Sequence, residues 1–204
     1  MGYFIAICGI DGSGKSTLVR ELQQTILMNG KSVIVEAQPT TWFLRQKIDV
    51  SRLTPVEAIA FFSADRGYDQ PVLAQQIDNY DFVIRDRYAP CTYAYNCYDP
   101  QTTALFKGLN QNFIEPDLTV LLDIPVDIAL ARIEERNNSR LGYLHQKEVL
   151  EEAKARYKRK ISLINSAKSL VLDGELPVEQ LVEQILSRAE GKCLRSQPYL
   201  LQSH

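Results

Sequence analysis

Residues 9 to 16 read Gly9-Ile10-Asp11-Gly12-Ser13-Gly14-Lys15-Ser16, and no other stretch of the chain restricts its architecture so tightly. The spacing G-x-x-x-x-G-K-[ST] belongs to a loop that wraps a polyphosphate, provided a strand precedes it and a helix follows. Both flanks comply. Tyr3 to Cys8 is apolar throughout, and Thr17 to Met28 places Leu18, Leu22 and Ile26 on one helical face before Asn29-Gly30 stops the pattern. Such a loop meets phosphate charge with successive backbone N–H groups, a helix N-terminus and one ammonium. Gly9, Gly12 and Gly14 keep side chains out of the phosphate's way, while Ile10, Asp11 and Ser13 complete the turn. Lys15 is expected at the β- and γ-phosphates and Ser16 as a ligand of Mg2+.

The rest of the chain alternates strand-like and helix-like runs. Ser32 to Glu36, Tyr80 to Arg85, Leu118 to Ile124 and Ser169 to Leu172 read as further strands. Thr54-Pro55-x-Glu57 reads as the capped start of a long helix through Phe61, Phe62, Leu73 and Ile77. Residues 91 to 113 are mixed and mainly helical, and helices are predicted over Pro125 to Arg136, Gln146 to Ser166 and Pro177 to Ala189. This pattern predicts an α/β fold, an open parallel five-stranded sheet with helices on both faces. One domain is expected over residues 1–190, with a short lid at about 137–147. The segment 191–204 is expected to be a flexible tail.

Composition removes several classes. The net charge of −2 offers no broad basic surface for a nucleic acid polymer. No run approaches the ~20 apolar residues of a membrane span. The four cysteines, Cys8, Cys91, Cys97 and Cys193, include no C-x-x-C pair, and with two His they give no zinc spacing. Reduced thiols and no basic leader predict a cytoplasmic protein.

In a parallel sheet, ligands bind beyond the carboxyl ends of the strands. The phosphate loop, Gln38-Pro39-Thr40 and Asp86-Arg87-Tyr88 all follow strands, so they should share one crevice. Asp86 closes an apolar strand, where an acid can hold or orient a Mg2+ shell; a cap or surface acid is the plainer reading. Arg87 has a planar fork suited to phosphate oxygens, or to a salt bridge with a neighbour. Arg66 follows Phe61-Phe62-Ser63-Ala64-Asp65 and points to the same crevice. An aromatic pair at this spacing reads first as core. Asp11 faces an acceptor hydroxyl or a metal-bound water, or is a solvent-facing turn acid. Arg132, Arg136 and Arg140 flank the polar break at 137 to 142, where a lid could close over the γ-phosphate.

Taken together, FIAICGIDGSGKST, FFSADR, VIRDRYAPCTYAY and PDLTVLLDI, followed by an Arg-bearing lid, resemble the thymidylate kinase family of P-loop nucleoside monophosphate kinases. The resemblance spans Tyr3 to Ala189. It implies the P-loop kinase fold, phosphorylation of dTMP to dTDP with ATP and Mg2+, small nucleotides as partners, and a homodimer. It implies that Gly12, Gly14, Lys15, Ser16 and Thr17 hold the ATP phosphates and metal, with Asp11 near the acceptor's sugar. Phe62 corresponds to the ring that stacks on thymine and Arg66 to the Arg on the acceptor base. Asp86 and Arg87 match the family's Asp-Arg pair, with Arg87 on the acceptor phosphate. Tyr95 matches the Tyr beneath the deoxyribose. Cys91 and Thr92 stand where the family often has Ser and a small polar residue. Because Gly12 follows Asp11, the lid residues Arg136 and Arg140 are the expected suppliers of the catalytic arginine.

Two departures fall on the acceptor side. The family usually has Glu-Gly where this chain has Cys8-Gly9, and Arg-Glu-Pro where it has Ala37-Gln38-Pro39. A Gln can hydrogen-bond an Arg but cannot hold it by charge. Arg45 is a candidate for the arginine that the family uses on the acceptor phosphate. The departures leave open a kinase for another nucleoside monophosphate or a deoxynucleoside, or a nucleotide-binding regulatory homologue. No Asn-Lys-x-Asp guanine motif is present.

Overall fold

The computed structural model describes residues 1–136, 146–162, 164 and 166–193. Five parallel strands form one sheet: β1 (Tyr3–Cys8), β2 (Val33–Ala37), β3 (Phe82–Asp86), β4 (Leu118–Asp123) and β5 (Ser169–Asp173). Their order is β2-β3-β1-β4-β5. β1 is therefore flanked by β3 and β4, and the chain winds away from it to both sides. That reversal opens a crevice at the carboxyl end of β1, where the phosphate loop begins.

The helices are α1 (Lys15–Met28), α2 (Thr41–Leu44), α3 (Pro55–Asn79), α4 (Ala89–Asn96), α5 (Pro100–Asn110), α6 (Val126–Arg136), α7 (Lys147–Ser162) and α8 (Val178–Cys193). The two-residue period of β1 sorts them onto two faces. Ile5 and Ile7 pack with Leu18, Leu22 and Ile26 of α1 and Leu181, Val182 and Ile185 of α8. Phe4 and Ala6 face Leu73 and Ile77 of α3. Cys8 packs among Cys91 and Ala94 of α4 and Leu150, Ala153 and Tyr157 of α7. With both faces covered, β1 must be apolar at every position, as the sequence reads. Each fully buried Leu or Ile contributes about 1.5–3 kcal/mol of transfer free energy.

Several boundaries differ from the sequence expectation for identifiable reasons. α1 starts at Lys15 because Gly14, at φ 98°, is its N-cap; the loop and helix are one device. Residues 91 to 113 form two helices. Asp99 starts the second by accepting the Thr102 N–H at 2.8 Å, with the Thr102 hydroxyl returning the contact and Pro100 at the first helical position. The helix expected over 146–166 ends at Ser162, and a short 3-10 turn occupies Ser166–Lys168. α8 continues to Cys193, three residues into the segment read as tail; residues 194–204, and 137–145 of the expected lid, lie outside the described residues. The predicted cap of α3 is present: the Glu57 N–H donates to Thr54 Oγ1 at 3.3 Å and the Thr54 N–H to Glu57 Oε2 at 2.8 Å.

α3 is fastened to β3 by a buried ion pair. Arg85, fully buried, donates from Nη2 to Asp69 at 2.9 Å and to Gln76 at 2.8 Å. Removing one partner of such a pair costs about 3–5 kcal/mol, because the other charge stays buried. The pair sits directly beneath Asp86-Arg87 and so fixes where those two residues emerge.

Candidate active site

Strand register brings distant segments to one edge. Ile7, Asp86 and Ala37 lie side by side across β1, β3 and β2. The next residues leave the sheet together, fastened by two backbone bonds of 3.0 Å: Gln38 N–H to the Asp86 carbonyl, and Arg87 N–H to the Ile7 carbonyl. Arg87 has φ 76°, a left-handed conformation uncommon outside glycine. The backbone bond to β1 holds it there, and its side chain reaches back to the phosphate loop.

The loop itself tolerates no Cβ at two positions. One at Gly12 would come within 2.3 Å of the Ala129 carbonyl, and one at Gly9 within 2.7 Å of the Leu122 carbonyl; both have positive φ. Lys15 is 5% exposed and bends over the loop, donating to the Ile10 carbonyl at 2.8 Å and to Ser13 Oγ at 3.4 Å. Burial lowers its pKa to about 8; the Arg87 charge adds to this and Asp11 opposes it. An ammonium so short of counter-charge is ready for an anion.

Ser16 Oγ donates to Asp86 Oδ2 at 3.3 Å, while Asp86 Oδ1 is buried with no hydrogen-bond partner among the described residues. A hydroxyl and a half-unsatisfied carboxylate thus meet at the loop. One hydroxyl and one carboxylate with a free oxygen among the described residues form a donor set that fits an ion taking few protein ligands and keeping water and phosphate oxygens, as Mg2+ does.

A cleft of about 230 Å³ is lined by Asp11, Lys15, Ser16, Asp86, Arg87 and Arg136. A second, of about 290 Å³, shares Gly14 and Arg136 with it and runs past Thr17 and Arg132 to Gly174 and Leu176. Arg132 Nη1 donates to the Ser13 carbonyl at 3.4 Å, behind the loop. Arg136 is exposed on the rim, and Arg140 lies outside the described residues.

Arg87 makes an ion pair with Asp11, and the Asp11 N–H donates to Tyr95 Oη at 3.0 Å. Of the readings weighed for Arg87, the neighbouring carboxylate is its partner in the ligand-free cleft. Asp11 is turned to the cleft rather than away from it.

A second cluster is built from α3, α4, α5 and the loop after β2. Arg66 is fully buried and contacts Gln38, Thr92, Ser63 and Asn110. Pro39 follows Gln38 through a cis peptide bond. Phe62, one turn before Arg66, is only partly buried, with its ring edge-on to Phe61 at 5.3 Å. The core assignment suggested by aromatic spacing is corrected here, since neither ring is among the buried residues. Cys91 is buried against Cys8. Burial works against ionisation of Cys91, but the neighbouring Cys8 and the Arg87 guanidinium outweigh it and bring the pKa down to about 6, while Cys8 is pushed up. Arg45 is exposed at the end of α2.

Three residues that pack around this cluster were not singled out from the sequence. Ser63 lies inside FFSADR and so had a local signal. Asn110 and Tyr157 had none, because α5 and α7 bring them in from far along the chain.

Comparison with known proteins matches residues 7–185 to the family model described as thymidylate kinase. The chain is 32% identical to a probable thymidylate kinase of Metallosphaera sedula over 188 residues, 92% of each chain. It is 28% identical to a thymidylate kinase of Geotalea uraniireducens over 213 aligned positions, 94% of this chain and all of the relative. A thymidylate kinase of Xanthomonas oryzae is 36% identical over 143 residues, 68% of this chain and 63% of that one.

Proposed function

The chain belongs to the thymidylate kinase family, and from that membership we propose that it transfers the terminal phosphoryl group of ATP to the phosphate of dTMP, giving dTDP and ADP. The observation that carries the reading is the single cleft in which the buried ammonium of Lys15 and the guanidinium of Arg87 face each other from different loops. Two phosphates held by two separate cations is what transfer between nucleotides requires. A hydrolase needs only one.

The acceptor phosphate is a dianion and attacks in line without a general base. Lys15 holds the donor's β- and γ-oxygens, and the amides of Gly9 to Thr17 enfold the polyphosphate. Arg87 holds the acceptor phosphate after leaving Asp11. Arg136 adds positive charge from the end of α6, and Arg140, outside the described residues, is the other arginine expected to supply it. Ser16 and Asp86 would hold Mg2+, which neutralises charge shared by the β- and γ-phosphates. Phe62 stacks on the acceptor ring, with Arg66, Gln38, Pro39, Cys91 and Thr92 around it and Tyr95 below the sugar. The second cleft, between the loop and Gly174, suits the donor's nucleoside.

We assign a homodimer through α3. Val56, Ala60, Ala64, Tyr68 and Val72 are four apart and all exposed, an apolar ridge of the kind helices pack by. Trp42 extends it by stacking on Tyr68 at 5.0 Å. A monomer in sedimentation at micromolar concentration overturns that assignment. No helix among the described residues is long and apolar enough to cross a membrane, and the free Cys8, Cys91 and Cys97 support a cytoplasmic location.

The test is ADP release with Mg-ATP and a panel of dTMP, dUMP, dCMP and dGMP. The expected preference is for dTMP. A clear preference for another acceptor, or ATP binding without turnover on any of them, sinks the reading.

A further inference from the structure

The buried cluster on the proposed acceptor side has more hydrogen-bond donors than acceptors. Arg66 has no carboxylate in hydrogen-bond contact, since Asp65 beside it accepts from the Thr40 backbone N–H at 3.1 Å and Thr40 Oγ1 at 2.7 Å. Its own partners are all neutral: Asn110 Oδ1 from Nε at 2.9 Å, Thr92 Oγ1 from Nη1 at 2.9 Å, Gln38 Oε1 from Nη1 at 3.3 Å, and Ser63 Oγ from Nη2 at 3.5 Å. Burial accordingly lowers its pKa to about 10. Nη2 carries two N–H groups and, among the described residues, has only that one long contact.

Gln38 is the other half of the imbalance. It is 5% exposed, and its carbonyl is spent on Arg66. The reversed amide would set N–H against N–H, so the guanidinium fixes its orientation. Nε2 is thereby turned away from Arg66, buried, with no hydrogen-bond partner among the described residues. A buried donor left unmade is a place for a ligand oxygen. Phe62 and Arg66 are four apart on α3 and share a helix face, so a flat ring against Phe62 presents its edge to this cluster.

Building on the thymidylate reading, we propose that Gln38 sharpens acceptor selectivity by donating from Nε2, alongside Arg66, to the carbonyl at ring position 4. Thymine and uracil offer an oxygen there. Cytosine offers an amino group, which would set donor against donor and leave the cluster unsatisfied. The carboxylate that the family usually has at this position could neutralise Arg66 but has no N–H to give. The amide keeps one oxygen for Arg66 and turns its nitrogen to the substrate.

The experiment measures kcat and KM for dTMP, dUMP and dCMP with Mg-ATP, in the wild type, Gln38→Glu and Gln38→Met. In both variants the ratio of kcat/KM for dTMP over dCMP is expected to fall about tenfold or more. The loss should lie more in the KM for dTMP than in kcat, with the KM for ATP unmoved. dUMP should track dTMP, since the two share the carbonyl. A merely structural role would lower turnover on all three acceptors together and leave the ratio alone. Thermal melting reports folding, and Gln38→Glu should melt no lower than wild type because its charge meets Arg66. An unchanged ratio in both variants, with dTMP turned over by the wild type, overturns this inference alone. A wild type that prefers dCMP overturns it together with the acceptor reading.

Discussion

The two sides proposed for the site are built differently. The proposed donor side is one unbroken segment, Gly9 to Thr17, which offers backbone groups in positions that glycine spacing dictates. The proposed acceptor side is assembled from side chains at 38, 62 to 66, 87 to 95 and 110, delivered by four different elements. Backbone chemistry is the same in any sequence that can adopt the turn, so the donor side has little room to vary. A wall of side chains can change its reading through one substitution, and both departures from the family pattern, Cys8 and Gln38, lie on that side.

Replacing Lys15 with Ala tests the donor side most severely. Turnover should fall about a thousandfold or more, since the cation on the transferred phosphoryl group is lost. Melting temperature should hold or rise, because the buried ammonium is no longer desolvated. Coupled ADP release and calorimetry check the two halves; near-normal turnover breaks the donor assignment. Arg87→Ala is the matching test across the cleft. Here kcat/KM for dTMP should drop about 100- to 1,000-fold while the KM for ATP stays close to wild type. Equal damage to both substrates would erase the distinction between the sides.

A smaller effect comes from Cys91. Its pKa in the folded protein lies below that of the unfolded chain, which therefore binds the proton more tightly between about pH 6 and 9. Stability from this group rises across that window and is lost as pH falls through about 6. Cys8 shifts the other way, so its influence is felt only above the ordinary thiol range. Cys91→Ser should thus cost less stability at pH 5 than at pH 8. Urea midpoints at the two pH values measure this, and an equal difference at both shows that Cys91 only packs.

The same contrast explains what could be read before the structure. The five strands and the phosphate loop were legible because each is local: an apolar run, a glycine spacing, a capping pair such as Thr54 and Glu57. The break at Asp99 was missed, although the Asp-Pro-x-Thr pattern that caps α5 stands in the sequence. Phe62 was misjudged by spacing, since a helical period marks one face without saying what lies against it. Asn110 and Tyr157 reach the site through packing of α5 and α7, and no pattern near either of them records that journey.

The ion pair between Asp11 and Arg87 ties the phosphate loop to the loop after β3. If Arg87 takes the acceptor phosphate as proposed, Asp11 must give up that contact, so the two loops are joined through a bond that the acceptor competes for. A donor that also drew Asp11 away would, by linkage, raise the acceptor's affinity by the same factor by which the acceptor raises the donor's.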